Sequence, residues 1–115
     1  MPTIEQGQTT DATPLTLHSV TLGAEAGMIQ KYIHWSAYTS KDVCAAGEAL
    51  LVWSKNASAA PVVKLSSSTT LMTGYLSPIA LSATVSGNDC LVQVTGLAAT
   101  TINWSLSIET DGQTV

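Results

Sequence analysis

Few side chains in this 115-residue chain could do chemistry. There are two histidines, two cysteines, eight carboxylates and four lysines, with no arginine. His18 and His34 are the only candidates for a general base, a proton shuttle or an imidazole metal ligand. Either role needs partners close by. The same-face neighbours of His34, two residues either side along a strand, are Tyr32 and Ser36. His34 therefore reads as a hydrogen-bonded face residue, and His18 as a strand-face residue at solvent. Glu5, Asp11, Glu25, Asp42, Glu48, Asp89, Glu109 and Asp111 do not repeat at a calcium-loop spacing. A glycosidase-like pair would have to be brought together by the fold, and nothing local signals one. No GxSxG, P-loop or GxGxxG pattern occurs. Cys44 and Cys90 stand alone, without CxxC or Cys/His spacing, and read as two buried thiols of a reducing compartment. A Cys44–Cys90 bridge stays open at this level. No catalytic, cofactor-binding or metal site is expected. An enzyme would need a pocket that joins His18 or His34 to a carboxylate.

Binding chemistry is equally sparse. Lys31, Lys41, Lys55 and Lys64 are scattered, and the formal net charge is −4. A nucleic-acid partner demands clustered cations, so neither DNA nor RNA is expected. An anionic membrane surface is not expected either, and no run approaches the length of a membrane span. The N-terminus lacks a basic start followed by an apolar stretch, so no signal sequence is expected. The aromatic residues are three Trp and three Tyr. Trp104 falls on the best-patterned apolar face and is expected in the core. Trp35 and Trp53 fall on apolar faces too, in the core or at a subunit contact. Tyr32, Tyr38 and Tyr75 are freer, and Tyr75, beside a Ser/Thr run, is the best platform for stacking a sugar.

The elements that must position these groups are strands. Sixteen Thr and thirteen Ser accompany a Val, Leu, Ile and Ala-rich apolar set, a balance that suits pleated surfaces and turns. Residues 1–14 read as an extended polar arm with a short strand at 3–9, and residues 15–115 as one domain. Period-two segments follow at 15–22, 28–38 and 42–54, with a bulge or bend at Gly47. Lys31 interrupts the apolar face of the second, which places the start of that strand at solvent. Both faces of 42–54 are apolar in its second half, the mark of a central strand or of one that lies under a neighbouring subunit. Short strands are expected at 62–65 and 71–75, separated by a Ser66–Thr70 loop or exposed edge. The segment 79–85, a Ser86–Asp89 hairpin turn and 90–95 come next. The clearest strand begins at Ile102, alternates through Glu109 and ends at Asp111-Gly112. Seven or eight strands without a helical stripe predict an all-β, single antiparallel β-sandwich, jelly-roll-like.

Two stretches carry a family resemblance. Thr9-Thr-Asp-Ala-Thr-Pro-Leu-Thr-Leu17 resembles the T-T-D-A-T-P-x-x-L opening of a small β-sandwich domain found in tailed-bacteriophage appendage, tail-fibre and decoration proteins. Gly87-Asn-Asp-Cys-Leu-Val-Gln-Val-Thr-Gly96 with Thr101-Ile-Asn-Trp-Ser105 resembles that domain's closing pattern. Order and spacing match across nearly the whole chain. The middle departs from the pattern: Ser36-Ala-Tyr-Thr39 replaces the usual basic residues, and Ile79-Ala-Leu-Ser82 replaces a Trp-containing strand.

The resemblance implies a virion structural accessory protein, a capsid decoration or a tail or fibre appendage, made in the host cytoplasm. It implies self-association, as a trimer rather than a dimer, and docking on other virion proteins; the sparse site residues add the expectation of no catalysis. A free-standing copy without shaft or coiled coil must dock, and arm 1–14 could add a strand to a neighbour's sheet edge. The alternative is a receptor-binding knob for host surface glycan, which requires an exposed aromatic beside Asn, Asp or Ser groups.

Overall fold

A computed structural model describes residues 3–21, 27–40, 43–56, 60–73 and 79–114. These residues form eight antiparallel strands: β1 (Thr3–Thr9), β2 (Leu15–Thr21), β3 (Gly27–Ser40), β4 (Val43–Lys55), β5 (Val62–Thr73), β6 (Ala80–Ser86), β7 (Asp89–Thr95) and β8 (Ile102–Thr114). They make two sheets, with orders β1-β8-β3-β4-β5 and β2-β7-β6. The strands of the two chain ends pair, β1 with β8 and β2 with β7. The chain is thus a β-sandwich wrapped from both ends, as the all-β reading predicts.

Alternation decides which side chains meet between the sheets. From the large sheet come Ile29, Ile33, Trp35 and Ala37, then Ala45, Ala49, Leu51 and Trp53, then Ile102, Trp104, Leu106 and Ile108. The small sheet answers with Leu81, Cys90, Val92 and Val94. All three tryptophans lie in this core, and Trp53 donates its Nε1–H to the Thr84 carbonyl at 3.0 Å. Cys90 is buried, Cys44 is half-buried, and no disulfide joins them.

Where local sequence suggested breaks, strand pairing overrides it. Of the two readings open for Ser66–Thr70, a loop or an exposed edge, the second holds: β5 continues through it as the outer edge of the large sheet, in register with β4. Ser and Thr are tolerated there because an edge strand exposes them to water. The register shifts between Ala46 and Gly47. A Cβ on Gly47 would lie 2.1 Å from the Thr69 carbonyl oxygen and 2.7 Å from Trp35, so only hydrogen fits. The last strand also outruns its Asp111-Gly112 stop, because Asp111 and Gly112 pair with Gln30 and Ile29 of β3. The hairpin between β6 and β7 turns on two residues, with Gly87 at φ 60°, the conformation expected at the first central position of a type II′ turn.

The expectation for Lys31 is overturned. Its strand start does not meet solvent: Lys31 keeps only 3% of its surface exposed, among the core side chains of β3. Residues 3–9, expected as a short strand within an arm, do form that strand, and it lies along β8 of their own chain over seven register pairs.

Candidate functional site

The buried lysine needs hydrogen-bond partners, and a bulge in β2 delivers one. The pairing of β2 with β7 shifts between Thr16 and His18, so Leu17 is the extra residue. Along an unbroken strand, His18 would sit on the face opposite Leu15 and Leu17. The bulge flips it onto the inner face, opposite Val92. The prediction of a solvent-facing His18 is therefore corrected: its side chain is 15% exposed. Its Nε2 lies 3.1 Å from Lys31 Nζ, and its Nδ1 lies 2.8 Å from Glu5 Oε2. Lys31 Nζ also donates to Thr110 Oγ1 at 2.6 Å.

An ammonium has donors only, so His18 Nε2 must accept, and the ring proton then resides on Nδ1 and is donated to Glu5. The result is a polar seam, Glu5–His18–Lys31–Thr110, that ties β1, β2, β3 and β8 together across the two sheets. Burial pushes the Lys31 ammonium below its ordinary range, against an opposing pull from Cys90. Burial pushes the Cys90 thiol up to about 11, helped by Asp89 and opposed by Lys31 and Lys55. The order carboxylate, imidazole, amine has the outline of a catalytic relay. With Lys31 almost wholly enclosed, its amine is shielded from a substrate, and the seam fits a structural strut.

The second histidine lies on the opposite face of the large sheet. His34 is 62% exposed, its Nε2 is 3.8 Å from Glu48 Oε2, and its ring meets Tyr32 edge-on with centroids 5.0 Å apart. Tyr32 donates its hydroxyl to the same Glu48 carboxylate. That bond, with the nearby Glu48 and Glu109 charges, raises the phenol above its ordinary value. Each histidine thus meets a carboxylate, a contact the sequence did not signal. Among the described residues, no group of three His, Cys, Asp or Glu side chains is placed to hold a metal ion.

Further along the same face, Tyr38 is 53% exposed beside a depression of about 350 Å³ lined by Gln6, Gln8, Asn103 and Ser105. Gln8 donates to Asn103 at 3.0 Å, which fixes the two amides side by side. A second depression is lined by Tyr32, Glu48, Ser67 and Thr69. Tyr75, singled out from the sequence, lies outside the described residues, as do Glu25, Lys41 and Asp42.

The two family-like stretches meet at one corner. Trp104 donates its indole N–H to Thr9 Oγ1 at 3.0 Å inside the core. A Cβ on Gly96 would sit 2.4 Å from that same Thr9 oxygen and 3.1 Å from the Asp11 carbonyl. The opening motif is thus held by the closing glycine and the closing tryptophan.

No protein-family model matches the chain, and no curated protein matches its sequence. Among solved structures it is similar to the tailspike protein of Acinetobacter baumannii phage AM24, at 12% identity and a TM-score of 0.39. It is likewise similar to a tailspike protein of Acinetobacter baumannii bacteriophage Fri1, a capsular polysaccharide depolymerase, at 11% identity and a TM-score of 0.40. The matches cover 93% and 99% of this chain, but only 26% and 19% of those chains. Likeness at that level assigns no activity, substrate or partner to this chain.

Proposed function

We propose that the chain is a structural accessory protein of a bacteriophage particle. It acts by self-association into a homotrimer and by docking on other virion proteins, without catalysis. The observation behind this reading is the corner at Thr9, Gly96 and Trp104. Motifs some ninety positions apart in the chain pack as one unit, so their family-like spacing has a physical cause. The surface agrees with a docking role. The β5 edge carries exposed Ser and Thr from 66 to 70, with Val62 and Leu65 also exposed. Short hydroxyl side chains lose little rotamer entropy when a partner covers them.

Light scattering on the intact chain, with immunolabelling of phage particles by electron microscopy, tests the reading. A trimer in solution and label at a fixed station on the particle are expected. A monomer at every concentration, or particles without label, contradicts it.

A second reading has one observation in its favour. Tyr38, exposed among the Gln6, Gln8 and Asn103 amides, supplies a ring face with donors and acceptors around it, the composition that holds a neutral sugar. On that reading the chain is a glycan-recognising knob. Saturable binding on an array of bacterial glycans, lost in Tyr38→Ala, is its signature.

A further inference from the structure

β1 is one of the two edge strands of the large sheet. Of its seven residues only Thr9 is buried, and it pairs on one side only, with β8. It is the first strand of the chain, and residues 10–14, which join it to β2, are all exposed. That connector ends in Pro14, which holds its own φ near −65° and biases Thr13 toward extended backbone. Drawn straight, five residues reach about 17 Å. Lifting β1 leaves the apolar residues between the sheets in place, but it uncovers the edge of β8, whose inner face carries Ile102, Trp104, Leu106 and Ile108. An uncovered edge of this kind is a template for another strand.

The contacts that seat β1 are specific to its own sequence. They are the seven-pair register Thr3↔Ile108 to Thr9↔Ile102, Gln8 with Asn103, Thr9 with Trp104, and Glu5 with His18. All are retained if the strand comes from another molecule, because every copy carries the same β1 and the same seat. Exchange then forfeits no contact of the closed chain.

We infer that β1 is an exchange strand: in the assembled protein the β8 edge of each copy is occupied by residues 3–9 of a second copy. This rests on the self-association proposed above and names the contact that makes it. Exchange passed in one direction around a ring closes with three copies as readily as reciprocal exchange closes with two.

The test is a Gln8→Cys/Asn103→Cys chain in a Cys44→Ser background, oxidised as the native oligomer and run on a denaturing, non-reducing gel. Exchange yields covalently linked chains, and a ladder of multimers is expected. An internal bond in single chains, with the oligomer intact, overturns exchange while leaving self-association standing. An intact chain that is monomeric at every concentration removes both. A measurement independent of the bond lengthens the connector by a flexible tripeptide between Ala12 and Thr13. Closure within one chain becomes easier, and the oligomer is expected to fall apart into monomers. An oligomer unmoved by the insertion contradicts the inference.

Discussion

Lys31 and His34 lie three residues apart on β3, and the two faces of that strand handle ionisable groups in opposite ways. Inward, Lys31 is enclosed and meets His18 Nε2 and Thr110 Oγ1, while His18 reaches on to Glu5. Outward, His34, Tyr32 and Glu48 cluster in water, with His34 only 3.8 Å from a carboxylate it scarcely needs. The same residue types occur in both places. Depth, set by a single bulge at Leu17, makes one group a strut and the other an adornment. A histidine beside a carboxylate is therefore weak evidence of catalysis until its exposure is known.

The sharpest break in this comparison is to remove each histidine. His18→Ala leaves the Lys31 ammonium buried with one partner fewer, and a loss of about 2–4 kcal/mol is expected in urea denaturation. His34→Ala should fall within about 0.5 kcal/mol of the parent. Equal losses would erase the distinction. Gly96→Ala comes next: the added methyl must displace Thr9 from Trp104, and about 1–3 kcal/mol is expected to be lost. A double substitution, His18→Leu with Lys31→Met, replaces the inner pair by apolar groups. It should be less damaging than the two single changes summed, with a coupling of about 1–3 kcal/mol in a double-mutant cycle.

Alkaline pH sharpens the comparison further. The folded state holds Lys31 below its ordinary 10.5, so the unfolded chain binds more protons between the two values. Its contribution is complete above 10.5 and is lost as pH falls through the folded value. Cys90 acts with the opposite sign. Its thiol is raised from 9.0 to about 11, so its contribution is complete below 9.0 and is lost as pH climbs through about 11. The change of the denaturation midpoint with pH across this range should therefore be shifted upward in Cys90→Ala relative to the parent, and adding Lys31→Met should shift it back down. The outer face supplies the smallest effect. Glu48→Gln should lower the Tyr32 phenol toward its ordinary 10.0 in an absorbance titration, with little change in stability.

Much of the fold was legible because period-two faces survive from sequence into structure. Ile102, Trp104, Leu106 and Ile108 alternate inward as written, and so do Cys90, Val92 and Val94. The misreadings share one origin, long-range pairing. Ser66–Thr70 lacks apolar alternation, which left a loop open beside the exposed edge that β4 in fact holds in register. Asp111-Gly112 looks like a stop, yet β3 continues the ladder. The seam at Lys31 was missed because Glu5 and His18, thirteen residues apart, meet only when the sheets stack. One local signal was present. The apolar positions Leu15, Leu17 and Val20 are spaced two and then three, the mark of an extra residue that turns His18 inward. A cation on the apolar face of 28–38 also asks for a buried acceptor rather than for solvent.

The central claim is that His18 is a strut, turned inward by the bulge and accepting from Lys31. Nitrogen NMR of the imidazole rings at neutral pH tests it most directly. The expected result is a single His18 tautomer, with its proton on Nδ1 and Nε2 unprotonated and hydrogen-bonded, and that signal should change in Lys31→Met. A His18 ring protonated on Nε2, or averaging between tautomers as a solvent-exposed imidazole does, would contradict the account.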